Sequence, residues 1–171
     1  RKISQTQNQH CEMRKYLIWA GVILGASLLA KPALANFTAS EFGLWYPLVD
    51  NDLLLKLDQL RTEWGHPVYI SPVDGAIGRA DDSASQHNVI HNGGKINAVD
   101  VFPSYNGREI HPDDIAKFYD LAKQIGFTGI GVYRDTVYKG IPWTMIHLDV
   151  RDSGFANWGR VAGSYTDLQG A

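Results

Sequence analysis

Residues 145–151 read Met-Ile-His-Leu-Asp-Val-Arg, and their strict alternation limits what this stretch can become. Ile146, Leu148 and Val150 are apolar, with His147, Asp149 and Arg151 between and after them. Successive side chains of a β-strand point to opposite sides, so a strand that buries the first set presents the second set together. Two metal-competent groups, at i and i+2, then face the same way. Helical periodicity appears twice upstream. Leu53, Leu57, Leu60 and Trp64 lie on one face of a 3.6-residue period, Asp50 or Asn51 can cap that helix, and Gly65 and Pro67 stop it. A second helix starts at Pro112, with Asp113 and Asp114 in its first turn, shows Ile115, Phe118, Ala122 and Ile125 on one face, and ends at Gly126. Val68–Ile70, Asn97–Phe102 and Phe127–Tyr133 are short β-type runs. The order helix, strands, helix, strands predicts an α+β domain: a small antiparallel sheet with flanking helices. Ser71–Gly94 and Arg134–Trp143 read as long loops, which in a small domain are usually functional.

The chain divides near residue 35. Met13-Arg14-Lys15 precedes an uncharged run, Tyr16–Ala30, followed by Lys31-Pro32 and Ala33-Leu34-Ala35. These are the n-region, h-region and A-x-A cleavage site of a secretory signal. Its 15 residues fall short of the roughly 20 that cross a bilayer. Residues 1–12 therefore read as an upstream extension, 13–35 as a signal peptide and 36–171 as the working domain. Cleavage after Ala35 leaves eleven basic and seventeen acidic residues, a net charge of −6, against −2 for the whole chain. An acidic domain lacks the electrostatic footprint of a nucleic-acid binder. The single Cys, Cys11, lies upstream, so the domain forms no disulfide and carries no lipid-attachable thiol. The expectation is a periplasmic or secreted monomer without stable membrane association after cleavage.

Six His occur, at 10, 66, 87, 91, 111 and 147. Asp100 sits inside the apolar run Ala98, Val99, Val101, Phe102, where a carboxylate is costly unless it is paired, hydrogen-bonded or bound to a cation. With His147, and with Ser85-Gln86-His87 from the long loop, the set becomes two imidazoles and a carboxylate, the pattern of a catalytic Zn²⁺ with an open fourth position. Structural roles for each are the alternative: a hydrogen-bonded strand His, a salt-bridged Asp.

Ser85-x-His87, Ala98-x-Asp100 and His147-x-Asp149 together resemble the signature of the zinc D-Ala-D-Ala peptidase family, S-x-H-x-x-G-x-A-x-D with a distant H-x-H or H-x-D. Phe37-Thr38-Ala39-Ser40-Glu41-Phe42 is similar to the opening of its small extracellular branch, Leu60-Arg61 with Val68–Ser71 to its helix and strand, and Gly126–Tyr133 to its penultimate strand. The resemblance runs from about Phe37 to Arg151. It implies a hedgehog/D-Ala-D-Ala peptidase-like fold and zinc held by His87, Asp100 and His147. It also implies hydrolysis of a peptide bond in the peptidoglycan stem peptide, as a D-Ala-D-Ala carboxypeptidase or an endopeptidase. Ser85 takes the place of a residue supporting the first ligand. Arg79 takes that of an Arg holding substrate or intermediate charge, a task its guanidinium suits, although a solvated loop Arg reads the same way.

Two departures leave alternatives open. The family motif places Asp seven residues after His, whereas Asp100 follows His87 by 13 and His91 by 9, so either His could be the ligand, with His87 keeping the Ser-x-His wording. Thr144 stands where several relatives carry a catalytic acid three residues before the last His. Asp149 is the nearby candidate for the general base or, alternatively, a partner orienting a zinc-bound His. Glu63, Glu109 and Asp135 are more distant sources of a base. Trp143 could line the cleft or sit in the core. Without a catalytic acid, the rival expectation is a non-catalytic peptidoglycan-binding domain of the same fold.

Overall fold

Both long helices form where capping and periodicity place them in the computed structural model, which describes residues 30–81, 83–166 and 168. The upstream extension and the signal run up to residue 29 lie outside the described residues. Among the described residues, no helix is long and apolar enough to cross a membrane. The helices and strands all belong to the unit Pro32–Ala171.

A short helix α1 (Ala39–Phe42) and a 3₁₀ segment (Gly43–Leu48) lead into α2 (Asn51–Trp64). The Asp50 carboxylate caps α2 by accepting from the Asp52 amide at 2.8 Å. Leu53, Leu54, Leu57 and Leu60 are fully buried. In α3 (Pro112–Ile125), Ile115, Phe118 and Ala122 form the buried face. Trp64 meets Phe118 edge-on, with ring centres 5.1 Å apart, and joins the two helices.

The strands are β1 (Val68–Ile70), β2 (Ala98–Tyr105), β3 (Arg108–Glu109), β4 (Gly129–Tyr133), β5 (Val137–Tyr138), β6 (Ile141–Pro142), β7 (Met145–Asp149), β8 (Ala156–Val161) and β9 (Ser164–Thr166). The main sheet runs β1-β2-β7-β4-β8-β9, with β3 also on β2. Val99 and Val101 of β2, Ile130 and Val132 of β4, and Ile146 and Leu148 of β7 share one core cluster with the helix leucines. The period-two alternation then sends Asp100, Gly131 and His147 to the other side. These are register partners in one row: Asp100 opposite His147, His147 opposite Gly131, and Gly131 opposite Trp158.

Three features depart from the sequence-based expectation. The strand predicted over Asn97–Phe102 continues through Pro103, which has no N–H for a ladder; β7 pairs with β2 only as far as Val101, so Pro103 meets β1 alone. The stretch Arg134–Trp143 contains the hairpin β5–β6, turned by Lys139 and Gly140 at positive φ. Tyr138 and Trp143 pack there with Phe102 into a second apolar cluster. Finally, the sheet is mostly rather than wholly antiparallel. The chain reverses after β7 and lands on the far side of β4, which already runs against β7, so β8 must run parallel to β4.

The two faces of α2 give a direct check. Leu57 is wholly buried while Leu55 is about half exposed. Urea denaturation should show Leu57→Ala costing about 2–5 kcal/mol and Leu55→Ala remaining within about 0.5 kcal/mol of wild type.

Candidate metal centre

Neighbouring strands deliver Asp100 and His147 side by side, and the irregular stretch before β2 delivers the third group. That stretch folds back on the sheet: Asp100 N donates to Ala76 O at 2.8 Å, and Ser71 N donates to Asp100 O at 2.9 Å. Arg79 N then donates to His87 O at 3.0 Å, and Val89 N to Arg79 O at 3.0 Å, so residues 79 and 87–89 brace each other. Ser85 Oγ accepts from His87 N at 3.3 Å. The buried Asn88 amide donates to Asp81 O at 2.6 Å and Ser83 O at 2.7 Å and accepts from Ile90 N at 2.9 Å. Asn92 Nδ2 donates to Gln86 O at 2.9 Å. Two asparagine side chains thus hold the residues between His87 and Asp100 in a fixed loop.

His87, Asp100 and His147 form a buried group that can hold a metal ion. His87 Nε2 lies 3.0 Å from His147 Nδ1, which lies 3.0 Å from Asp100 Oδ1, and the third side of the triangle is 3.4 Å. An ion about 2.0–2.1 Å from tetrahedrally placed donors separates those donors by about 3.3 Å. The outer partners of the rings decide what occupies the triangle. His87 Nδ1 lies 3.2 Å from Ile77 O and can only donate to it, leaving Nε2 as a lone pair. His147 Nε2 lies 2.9 Å from Asp149 Oδ2, and donation there leaves Nδ1 as a lone pair. With these tautomers, assigned from their partners, two nitrogen lone pairs and a carboxylate oxygen converge where a positive charge is required.

Where a proton rather than an ion supplies that charge, it is placed on His147, between Asp100 and the ring. Burial disfavours the His147 imidazolium, but hydrogen bonds to Asp100 and Asp149 outweigh it and raise the pKa above the usual histidine value. Burial likewise pushes Asp100 up, yet His147 and His87 hold it well below the usual carboxylate range. Asp149 is pulled down to about 2, because bonds from Arg151 and His147 overcome its burial. The Tyr133 phenol is pushed up to about 12, mainly by burial.

The group opens into a cavity of about 420 Å³ also lined by Arg79, Tyr133, Arg151, Trp158, Arg160 and Tyr165. Arg79, expected from the sequence, stands in this wall, its Nη2 donating to Gly75 O at 3.2 Å and its Nε buried without a partner. His91 is exposed and outside the group. Asp149 is fully buried behind His147, on the ring nitrogen pointing away from Asp100, and it also binds Arg151. Asp100 is the only carboxylate among the described residues lining the cavity; Glu63, Glu109 and Asp135 stand elsewhere. Thr144 is buried away from it. Trp143 lies in the second apolar cluster and donates to Pro103 O at 2.8 Å, so it does not line the cleft. Trp158 takes that place, its ring centre 5.0 Å from that of His147. Trp158 and Arg160 went unrecognised in the sequence, although their i, i+2 spacing in Ala156–Val161 is the signal that places both on the cavity side.

No family model, curated protein or solved structure matches the chain. The site is therefore interpreted from its own chemistry.

The depressed Asp149 carboxyl carries a pH signature in metal-free protein. Its contribution to stability is present above the unfolded value of about 3.9 and is lost as pH falls through its folded value of about 2. Urea denaturation between pH about 4 and about 2 should show wild type losing stability more steeply than Asp149→Asn.

Proposed function

We propose that this protein is an exported zinc peptidase acting on the peptide of the bacterial cell wall. The observation that carries this reading is the convergence of two imidazole nitrogens and a carboxylate oxygen, 3.0–3.4 Å apart, on one wall of a cavity. Two imidazoles and one carboxylate form a catalytic rather than a structural zinc set, because three protein ligands leave a position for water or substrate. Bound there, Zn²⁺ would polarise a scissile carbonyl and lower the pKa of water to about 7. The α+β layout with a mostly antiparallel sheet is compatible with a hedgehog/D-Ala-D-Ala peptidase-like fold. The apolar run, the A-x-A site and the acidic, cysteine-free domain support a periplasmic or secreted location.

In this reading His87, Asp100 and His147 hold the ion. Ile77 O and Asp149 fix the tautomers that aim the ring lone pairs inward. Arg79 lines the same cavity, where its guanidinium suits a substrate carboxylate. Asp149 is assigned a positioning role in place of the general base, because it is shielded from the cavity by the ring it orients and is neutralised by Arg151.

Equilibrium dialysis should give one Zn²⁺ per protein, lost in His87→Ala, Asp100→Ala and His147→Ala and kept in His91→Ala. Digestion of a defined muropeptide, followed by mass spectrometry, should show a cleaved stem-peptide bond that chelator abolishes and zinc restores. Wall bound but left uncut would identify a non-catalytic binding domain. For Asp149→Asn, the positioning role predicts zinc affinity weakened about 10–100-fold with turnover recovered at excess metal. Unchanged affinity with turnover down about 10²–10⁴-fold would instead return Asp149 to the role of base.

A further inference from the structure

On α2, Asp58, Arg61 and Thr62 occupy positions i, i+3 and i+4, which share one helix face. This face is polar, unlike the leucine face that enters the core, and it grips the chain from Ala35, the last residue of the Ala33-Leu34-Ala35 series, to Phe37. The Asp58 carboxylate accepts from three successive backbone amides: Oδ2 from Ala35 at 3.0 Å, and Oδ1 from Asn36 at 2.7 Å and Phe37 at 3.0 Å. Arg61 Nη1 donates to Asn36 O at 2.6 Å, and its guanidinium lies 3.2 Å from the centre of the buried Phe37 ring. The Asn36 side chain donates to Thr62 Oγ1 at 2.6 Å and more distantly, at 3.4 Å, to Asp58 O. The backbone and side chain of Asn36 are therefore held by one face of one helix, while Ala33, Ala35 and Asn36 remain exposed.

A carboxylate that already draws in three backbone amides gains a full ion pair when one of those nitrogens becomes an ammonium. Charge-assisted bonds are roughly twice as strong as neutral ones, and the shortest of the three is made by the nitrogen that removal of the signal would turn into an amine. We infer that Asp58 is a receptor for the α-ammonium group of Asn36, created when a processing endopeptidase of the export route cuts the Ala35–Asn36 bond. In that hydrolysis the peptide C–N bond breaks, and water supplies hydroxyl to the Ala35 carbonyl carbon. The proton released goes to the Asn36 nitrogen, and the new carboxyl group gives up its own proton to the same nitrogen, leaving a carboxylate that departs with the leader and an ammonium that stays. Departure of Ala35 removes the amide on Asp58 Oδ2, and the new ammonium keeps Oδ1, 2.7 Å away, as its acceptor. Leu34, which leans on the core, leaves with the leader, and the Asp58 ion pair, with the clamps on Asn36, holds the remaining end. The inference rests on the export reading and is independent of the metal centre.

The test uses the full chain produced in an export-competent host and recovered from the periplasm or medium. Intact mass should correspond to a chain beginning at Asn36; a chain beginning anywhere else overturns the inference and, if it retains the apolar run, the export reading as well. On the Asn36-initiated protein, ¹³C-methylation of the amine and NMR titration should place the α-amine above its ordinary range of about 7.7–8.0. The elevation should shrink in 1 M salt, which screens an exposed pair, and vanish in Asp58→Asn. The stabilisation should be present below that ordinary range and decline as pH rises through the raised value. An α-amine titrating in the ordinary range in wild type overturns the receptor role while leaving export standing. If Asp58→Asn does not accumulate, the wild-type value and its salt response decide between the two outcomes. Zinc content should be unaffected in the variant, because Asp58 is not among the metal-binding group or the cavity lining.

Discussion

Convergence of three donor lone pairs on a point that must carry positive charge is the constraint around which the polar side of this sheet is organised. Two imidazoles and a carboxylate at 3.0–3.4 Å repel one another unless a proton or a cation lies between them. The surroundings suit that charge and fix its position. Asp149 takes the outer proton of His147, Ile77 O takes that of His87, and Arg151 keeps Asp149 ionised although it is fully buried. Removing one member would leave a buried polar group unmatched, and that is the condition under which such networks are costly.

The sheet makes room for this arrangement through two glycines in β4. A Cβ on Gly129 would lie 2.1 Å from the Asp149 carboxylate, and one on Gly131 would lie 2.5 Å from the Trp158 ring. Asp149 can thus stand over β4 behind His147, and Trp158 can cross the row to reach the His147 ring. Trp158 Nε1 donates to Tyr133 Oη at 2.9 Å, which ties β8 to β4 beyond their backbone ladder. The spacing Gly129-x-Gly131 is therefore a packing requirement of the site, since any side chain there collides with a group packed against His147.

Charge around the cavity is also arranged. Arg151 is matched by Asp149 and Arg160 by Asp135 at 2.9 Å, whereas Arg79 contacts a backbone carbonyl and retains a buried nitrogen without a partner. Of the three arginines in the cavity wall, Arg79 is therefore the one whose charge no ion pair takes up among the described residues, although the domain as a whole is acidic. Net charge alone pointed away from nucleic acid and was silent about the local field.

Local sequence determined the elements whose signals are contained within a few residues. Capping at Asp50, Pro112 as the first helical residue of α3, the leucine period of α2 and the alternation of Met145–Asp149 set helix boundaries and the inward side of β7, because each depends on neighbours within a turn or a pleat. The composition of the metal group was legible too, since an Asp inside an apolar strand needs a partner wherever the strand lies. Tertiary structure decided what depends on distant segments: the choice of His87 over His91, made by the loop that Asn88 and Asn92 staple; the side of His147 on which Asp149 stands; and burial of Trp143 with use of Trp158 instead. Each is set by strand register or by contacts across dozens of residues. A chain read one segment at a time carries the chemistry of a residue but not the identity of its neighbours.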